Sequence, residues 1–239
     1  MKLETHCHTF GTSSCADTKN EIIIEKYLKA GYGGIVATNH FSVHAYNGYF
    51  PGATHKEKVD SFFTFIDEFS AMCKEVNVKA FWGVEVRTPF PKEVSGTEFM
   101  VYGLDKKYFY DKPLFLYSQQ ELFELCEKTG AFMYQTHPFR RGVIAGDPNF
   151  RHGAEAFNGH YHHPNNNEIA QKFCKENSLI EMSGTDFHHI DQPITAGIII
   201  PDDVKDESKL VQIIKNREYT SIRDEQTYIE EYTRYRNSR

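Results

Sequence analysis

Residues 2–8 read Lys-Leu-Glu-Thr-His-Cys-His, a short run fit for a buried strand that ends in two histidines two positions apart. In extended backbone, residues i and i+2 point to the same side, so His6 and His8 can reach one ion. The pattern recurs. GIVATNH (34–40) ends in His40, FWGVEV (81–86) presents Glu85, FMYQTHP (132–138) ends in His137, and IEMSGTDFHH (180–189) delivers Asp186 and His188. Each short apolar run carries a side chain able to bind metal.

Working outward, further strand-like runs sit at Phe99–Gly103, Ala154–Phe157 and Ala196–Ile200. The stretches between have helical period. Glu21–Ala30 follows a Thr18/Glu21 capping box, and Ser118 with Glu121 opens a second helix that Gly130 stops. Val59, Phe62, Phe63, Ile66, Phe69 and Cys73 form a third stripe, and the tyrosine-bearing tail from Asp224 reads as a docked helix. Alternating strands and helices predict a mostly parallel sheet, doubly wound or closed into a barrel. No glycine-rich phosphate loop follows the first strand, which weighs against a dinucleotide fold.

The 239 residues, 40% apolar and 25% charged, predict one domain over 1–239 rather than a disordered chain. No apolar run approaches the ~20 residues that span a bilayer. The five cysteines are scattered without a C-x-x-C pair, which fits reduced thiols and a cytoplasmic protein. A net charge of −6 speaks against a non-specific nucleic-acid coat. Twelve histidines point instead to metal or acid–base chemistry.

In a parallel α/β barrel the C-terminal strand ends converge on one mouth. A lone histidine at a strand end is usually a hydrogen-bonding residue, but five strand ends supplying His, Glu and Asp form a constellation. Glu85 inside an apolar strand is costly to bury without a compensating cation. Mixed imidazole and carboxylate donors suit zinc, iron or manganese better than magnesium or calcium. Seven donors exceed one tetrahedral shell, so two or three ions are expected, with Glu85 or Asp186 bridging. Ions ~3.5–4 Å apart acidify a bridging water and neutralise a phosphoryl oxygen.

With HCH at His6–His8, TNH at His40, GVEV around Glu85, THP at His137 and TDFH at Asp186–His188, essentially the whole chain resembles the PHP (polymerase and histidinol phosphatase) domain family. The resemblance implies a distorted (β/α)7 barrel, a trinuclear metal centre at its C-terminal mouth, and hydrolysis of phosphate esters. It implies that His6, His8, Glu85 and Asp186 hold one ion, Glu85 and His137 a second, and His40 with His188 a third. Glu85, Asp186 and His188 would then also serve catalysis. Two positions depart from the pattern. The segment TFGTSSCADT (9–18) offers Ser14, Cys15 and Asp17 where many members supply a His or Asp, with Asp17 the ligand by chemistry or else a helix N-terminal residue. After the fourth strand TEFMVYGLD (97–105) has no histidine, leaving Glu98 or Asp105 as substitutes.

Arg140 in HPFR can fork onto a phosphate, or it is a solvated loop arginine. Arg87 shares the parity of Glu85 and has the same two readings. Asn158 positions substrate or water, unless it is an ordinary Asn-Gly turn. His160, with His162 and His163, lies in a loop beside the mouth, where one can protonate a leaving oxygen or all can be solvated. The expected activity is a metal-dependent phosphomonoesterase acting on a small metabolite, histidinol phosphate among the possibilities. The alternatives are a 3′–5′ exonuclease or nucleotidase, with the aromatic loop 41–50 stacking a base or packing as a lid, and a metal-binding barrel without catalysis.

Overall fold

The computed structural model describes residues 1–11, 15–48, 53–88 and 97–239; residues 49–50 of the aromatic loop and Ser14 therefore lie outside the described residues. The strands are β1 (Lys2–Cys7), β2 (Tyr32–Ala37), β3 (His40–Phe41), β4 (Lys79–Arg87), β5 (Glu98–Tyr102), β6 (Phe132–Gln135), β7 (Gly153–Asn158), β8 (Ile180–Gly184), β9 (Ala196–Ile199) and β10 (Thr220–Arg223). The helices are α1 (Asn20–Lys29), α2 (Val43–Gly48), α3 (His55–Glu75), α4 (Lys107–Asp111), α5 (Gln119–Thr129), α6 (Asn167–Glu176), α7 (Glu207–Lys215) and α8 (Glu225–Asn237). They build one sheet in the order β10-β9-β1-β2-β4-β5-β6-β7-β8, with short β3 beside β4. Beyond β8, a parallel bridge between Cys7 and Phe187 brings the chain back against β1. The result is the expected distorted barrel, nearly closed.

The sheet is less parallel than the alternation of elements suggests. β5 runs antiparallel to both β4 and β6, and β9 antiparallel to β1. Only residues 88–97 join β4 to β5, and a parallel crossover needs roughly a dozen or more. The reversal puts the first residue of β5, Glu98, opposite Arg87 at the mouth.

Period-two alternation then sorts side chains. Val84, Val86, Phe99, Val101 and Met133 pack outward with α3 and α5, whereas Phe81, Met100, Tyr102, Phe132 and Tyr134 pack with Leu3 and Met182 in the barrel. Along β4 the inward series is therefore Phe81, Gly83, Glu85, from apolar floor to polar mouth. Strand β1 breaks this parity. Leu3 and His6 both join the interior although three positions apart, because a register shift between Glu4 and Cys7 inserts a bulge. Glu4, fully buried, accepts from the backbone N–H groups of Thr5, His6 and Thr185 and from the Tyr27 hydroxyl. It thereby satisfies the donors that the bulge frees, and bulges beside active sites re-aim a side chain in this way. Gly184 completes the fit: a Cβ there would lie 2.5 Å from His6 Cβ and 3.0 Å from Glu155 Oε1.

Helix signals were partly obeyed. Ser118 and Glu121 form a full capping box, and Gly130 takes the left-handed conformation after α5. Thr18 and Glu21 do not cap: α1 starts at Asn20 behind Lys19, and the Thr18 hydroxyl turns toward Asp17 and the His188 carbonyl. Among the described residues, no helix is long and apolar enough to cross a membrane.

Candidate metal centre

The strand ends bring His6, His8, His40, Glu85, Glu98, His137, Asp186 and His188 to one place. His6 Nε2 lies 3.1 Å from His8 Nε2, 3.4 Å from Glu85 Oε1 and 3.3 Å from Asp186 Oδ1, while His8 Nε2 is 3.3 Å from the same Asp186 oxygen. Donors ~2.0–2.1 Å from a tetrahedral ion sit ~3.3 Å apart, so these separations match the edges of one coordination shell. Around the other Glu85 edge, His137 Nε2 is 3.3 Å from Glu85 Oε1 and 3.5 Å from Glu98 Oε2. His40 Nδ1 stands 2.7 Å from Glu85 Oε2 and 3.7 Å from Glu98 Oε1. A third group joins His8, His40 and His188. Glu85 thus sits between the groups, where a bridging carboxylate belongs.

The charges suit cations. Buried Glu85 is ringed by imidazoles, with His40 Nδ1 2.7 Å from Oε2 and His137 Nε2 3.3 Å from Oε1, while His8 Nδ1 and His137 Nδ1 have no hydrogen-bond partner among the described residues. A buried carboxylate is expensive unless positive charge compensates it. Burial opposes ionisation of Glu85, yet His6 and His40 hold its pKa well below the usual range. Burial is likewise outweighed at Asp186, by His6 and Arg140. Burial, reinforced by His188 and His40, keeps His8 well below its usual value and hence neutral. Burial also opposes protonation of His6 and His40, but the surrounding carboxylates raise both well above normal. Anionic carboxylates and a neutral imidazole are the forms that ligate metal.

Backbone conformation carries part of the load. His137 and Asp186 have φ of 31° and 53°, in the left-handed region that non-glycine residues seldom occupy. The Glu155 carboxylate holds the first of these by accepting from His137 N at 2.8 Å, while its other oxygen meets His6 Nδ1 at 3.0 Å. Glu155 and Glu4 are the residues that the motif reading missed. Their signal was an acid in a buried strand, the same signal that singled out Glu85.

Arg140 reaches the mouth but is already engaged. Its Nη2 donates to Asp186 Oδ2 at 2.5 Å and to Asn158 Oδ1 at 3.0 Å, and its Nε to Asn165. Asn158 Nδ2 in turn donates to Glu155 and Asp186, so this asparagine is a buried network member rather than a solvated turn. Arg87 pairs with Glu98 Oε1 through Nε and Nη2. Asp105 lies at the far end of β5, exposed and paired with Lys107. Asp17 is not brought to the cluster; its exposed carboxylate meets His189 Nδ1 at 3.2 Å. Cys15 is: burial opposes its ionisation, but hydrogen bonds with His188 and His40 draw its pKa down to about 5. His160, His162 and His163 border the same cavity of about 220 Å³ with Arg87, Arg140 and His189.

No protein-family model matches the chain, and no curated protein does. Solved structures do, across nearly its whole length. A two-domain protein from Bacteroides vulgatus containing a predicted PHP-like metal-dependent phosphoesterase is 14% identical, with a TM-score of 0.65 over 98% of this chain and 69% of that one. PsfC from Pseudomonas syringae is 16% identical, with a TM-score of 0.65 over 99% and 97%. Endonuclease Q, bound to duplex DNA with an abasic lesion, is 10% identical, with a TM-score of 0.58 over 90% of this chain and 56% of its own. The fold is that of the PHP-like metal-dependent phosphoesterases.

Proposed function

We propose that the chain, read as a single domain over 1–239, is a PHP-family hydrolase that cleaves the phosphate monoester of a small metabolite, with histidinol phosphate as one candidate. The observation that carries this reading is the group of His6, His8 and Asp186, whose donor atoms lie 3.1–3.3 Å apart as the edges of a tetrahedral shell do, with Glu85 Oε1 3.4 Å from His6 Nε2 and Asp186 lining a small cavity. Two or three divalent ions of the zinc, manganese or iron class fit: His6, His8, Glu85 and Asp186 would hold one, Glu85, Glu98 and His137 a second, and His40 and His188 a third. Bound there, such ions supply Lewis acidity toward water and phosphoryl oxygens.

The chain's own residues do the rest. Glu85 and Asp186 remain anionic and His8 neutral, so they are ready as donors. Arg140 points Asp186 Oδ1 at the two histidines by occupying Oδ2, and its guanidinium lines the cavity where phosphoryl oxygens would lie. Arg87 lines the same cavity, held by Glu98. His160, buried beside His188 with ring centroids 5.2 Å apart, is held well below its usual pKa by burial and the neighbouring Arg140 and His188, so it would act as a neutral imidazole donating a hydrogen bond to the substrate rather than as a proton source. A cavity of about 220 Å³ holds a phosphoryl group with a short carbon chain more readily than a stretch of polymer.

The likeness to Endonuclease Q makes a nuclease the second reading, and one experiment separates the two. Metal content is measured on wild type and on the His6→Ala, His8→Ala double variant, with hydrolysis of para-nitrophenyl phosphate, a panel of sugar phosphates and a labelled oligonucleotide. Two or three ions per chain and phosphate release from monoesters, both lost in the variant, support the phosphatase. Shortening of the oligonucleotide with no monoester turnover supports the nuclease. Less than one ion per chain with no activity on any substrate overturns both.

A further inference from the structure

Cys15 lies between β1 and α1, and its thiol hydrogen-bonds with the imidazoles of both His40 and His188. With His8, those rings form a group whose donor atoms lie within 4.8 Å of one another. His8 is wholly buried, and its Nδ1 has no hydrogen-bond partner among the described residues. The Asp17 carboxylate of the same segment is turned away, exposed and held by His189. Among the described residues this corner adds a sulfur donor to the nitrogens, whereas the corner around Glu85, Glu98 and His137 offers oxygen and nitrogen without sulfur.

That difference has a chemical consequence. Thiolate favours borderline and soft ions such as Zn²⁺, Co²⁺ and Cd²⁺ over Mn²⁺ or Mg²⁺. Zinc takes sulfur at ~2.3 Å and nitrogen at ~2.0–2.1 Å, which sets a tetrahedral S···N edge of ~3.6 Å. Cys15 lines one cavity with both His40 and His188, which puts its thiol within reach of an ion those imidazoles would hold. We propose that Cys15, together with His40 and His188, ligates a thiophilic divalent ion of the zinc class, so that the two corners of the centre select different metals. The proposal rests on the metal-centre reading above and adds to it a ligand and a metal preference.

The test uses the full chain, stripped of metal and titrated with Co²⁺ under anaerobic conditions. Wild type is expected to develop a near-ultraviolet sulfur-to-cobalt charge-transfer band that is absent in both Cys15→Ser and Cys15→Asp. The other cysteines, Cys7, Cys73, Cys126 and Cys174, are buried, which leaves Cys15 as the source of the band. The Asp variant keeps its ion through an oxygen donor while its preference for Cd²⁺ over Mn²⁺ falls by about tenfold or more. In wild type, alkylation of Cys15 by iodoacetamide, mapped by mass spectrometry, slows by a similar factor on adding Zn²⁺. A band that survives in Cys15→Ser, or an alkylation rate that metal leaves unchanged, overturns the assignment. Cobalt bound to an active phosphatase without a band removes the cysteine ligand alone. Failure of wild type to bind cobalt or zinc at all removes the metal centre with it.

Discussion

Glu155 Oε1 stands 3.0 Å from His6 Nδ1, and both side chains are fully buried. A carboxylate at that position keeps a proton on Nδ1 and orients Nε2 toward His8 and Asp186, where an incoming ion would take the place of its proton. Such partners of metal-binding histidines are worth about 10–100-fold in metal affinity. Glu155→Gln is expected to weaken binding by that factor, measured by competition with a chromophoric chelator. Glu155→Ala should do worse, because it also strips the acceptor from His137 N. Unchanged affinity in both variants would mean that His6 is oriented by the barrel wall alone.

Arg140 is tied to Asp186 at 2.5 Å and to Asn158 at 3.0 Å, so it serves two tasks. Charge-assisted hydrogen bonds are worth roughly 1.5–3 kcal/mol. Arg140→Ala should therefore lower kcat/KM for a phosphomonoester by about 10–100-fold. Arg140→Lys should restore the charge but not the fork to Asp186 and Asn158, recovering KM more than kcat. Steady-state kinetics at saturating metal decide the matter. Wild-type kinetics in the alanine variant would reduce Arg140 to a surface loop residue.

Metal uptake should release protons. Carboxylates hold His6, His40 and His188 above their usual pKa against the opposing effect of burial. These rings therefore carry protons near neutral pH that an incoming ion must displace, and affinity should fall as pH drops from 8 to 6. Calorimetric titration of the metal-free protein in buffers of differing ionisation enthalpy counts the protons. A buffer-independent enthalpy contradicts the expectation.

Much of the centre was legible because the donors close parallel strands, where a period of two and a shared mouth leave few choices. Glu85, His137 and Asp186 were placed by pattern alone. Glu98 and Asp105 could not be ranked, because the choice depends on the direction of β5. Read as a parallel strand, its C-terminal end and Asp105 face the mouth; run antiparallel, its first residue does. The choice between Cys15 and Asp17 had a different cause. Loop residues carry no periodicity, so chemistry favoured the carboxylate while the folded loop turned the thiol inward. Glu155 was passed over because nothing local distinguishes an acid that braces a ligand from one that is a ligand.

Glu4 gives a test of the bulge that aims His6. Burial raises its pKa from 4.5 to about 7, although hydrogen bonds from Thr185, His6 and Tyr27 pull the other way. The folded state thus keeps a proton that the unfolded chain releases above pH 4.5. Its contribution to stability is complete below that pH and is lost as pH rises through about 7. At 1.36 kcal/mol per pH unit, the loss over this window is about 3 kcal/mol. In Glu4→Gln, the amide oxygen still accepts from the Thr5, His6 and Thr185 N–H groups, and its NH₂ can donate to the Tyr27 hydroxyl oxygen. The variant should therefore lack this pH dependence and gain on wild type between pH 4.5 and pH 8. Urea unfolding of both proteins in chelator at those two pH values supplies the comparison. Parallel pH profiles would show that Glu4 is ionised in the fold throughout, with the four donors outweighing its burial.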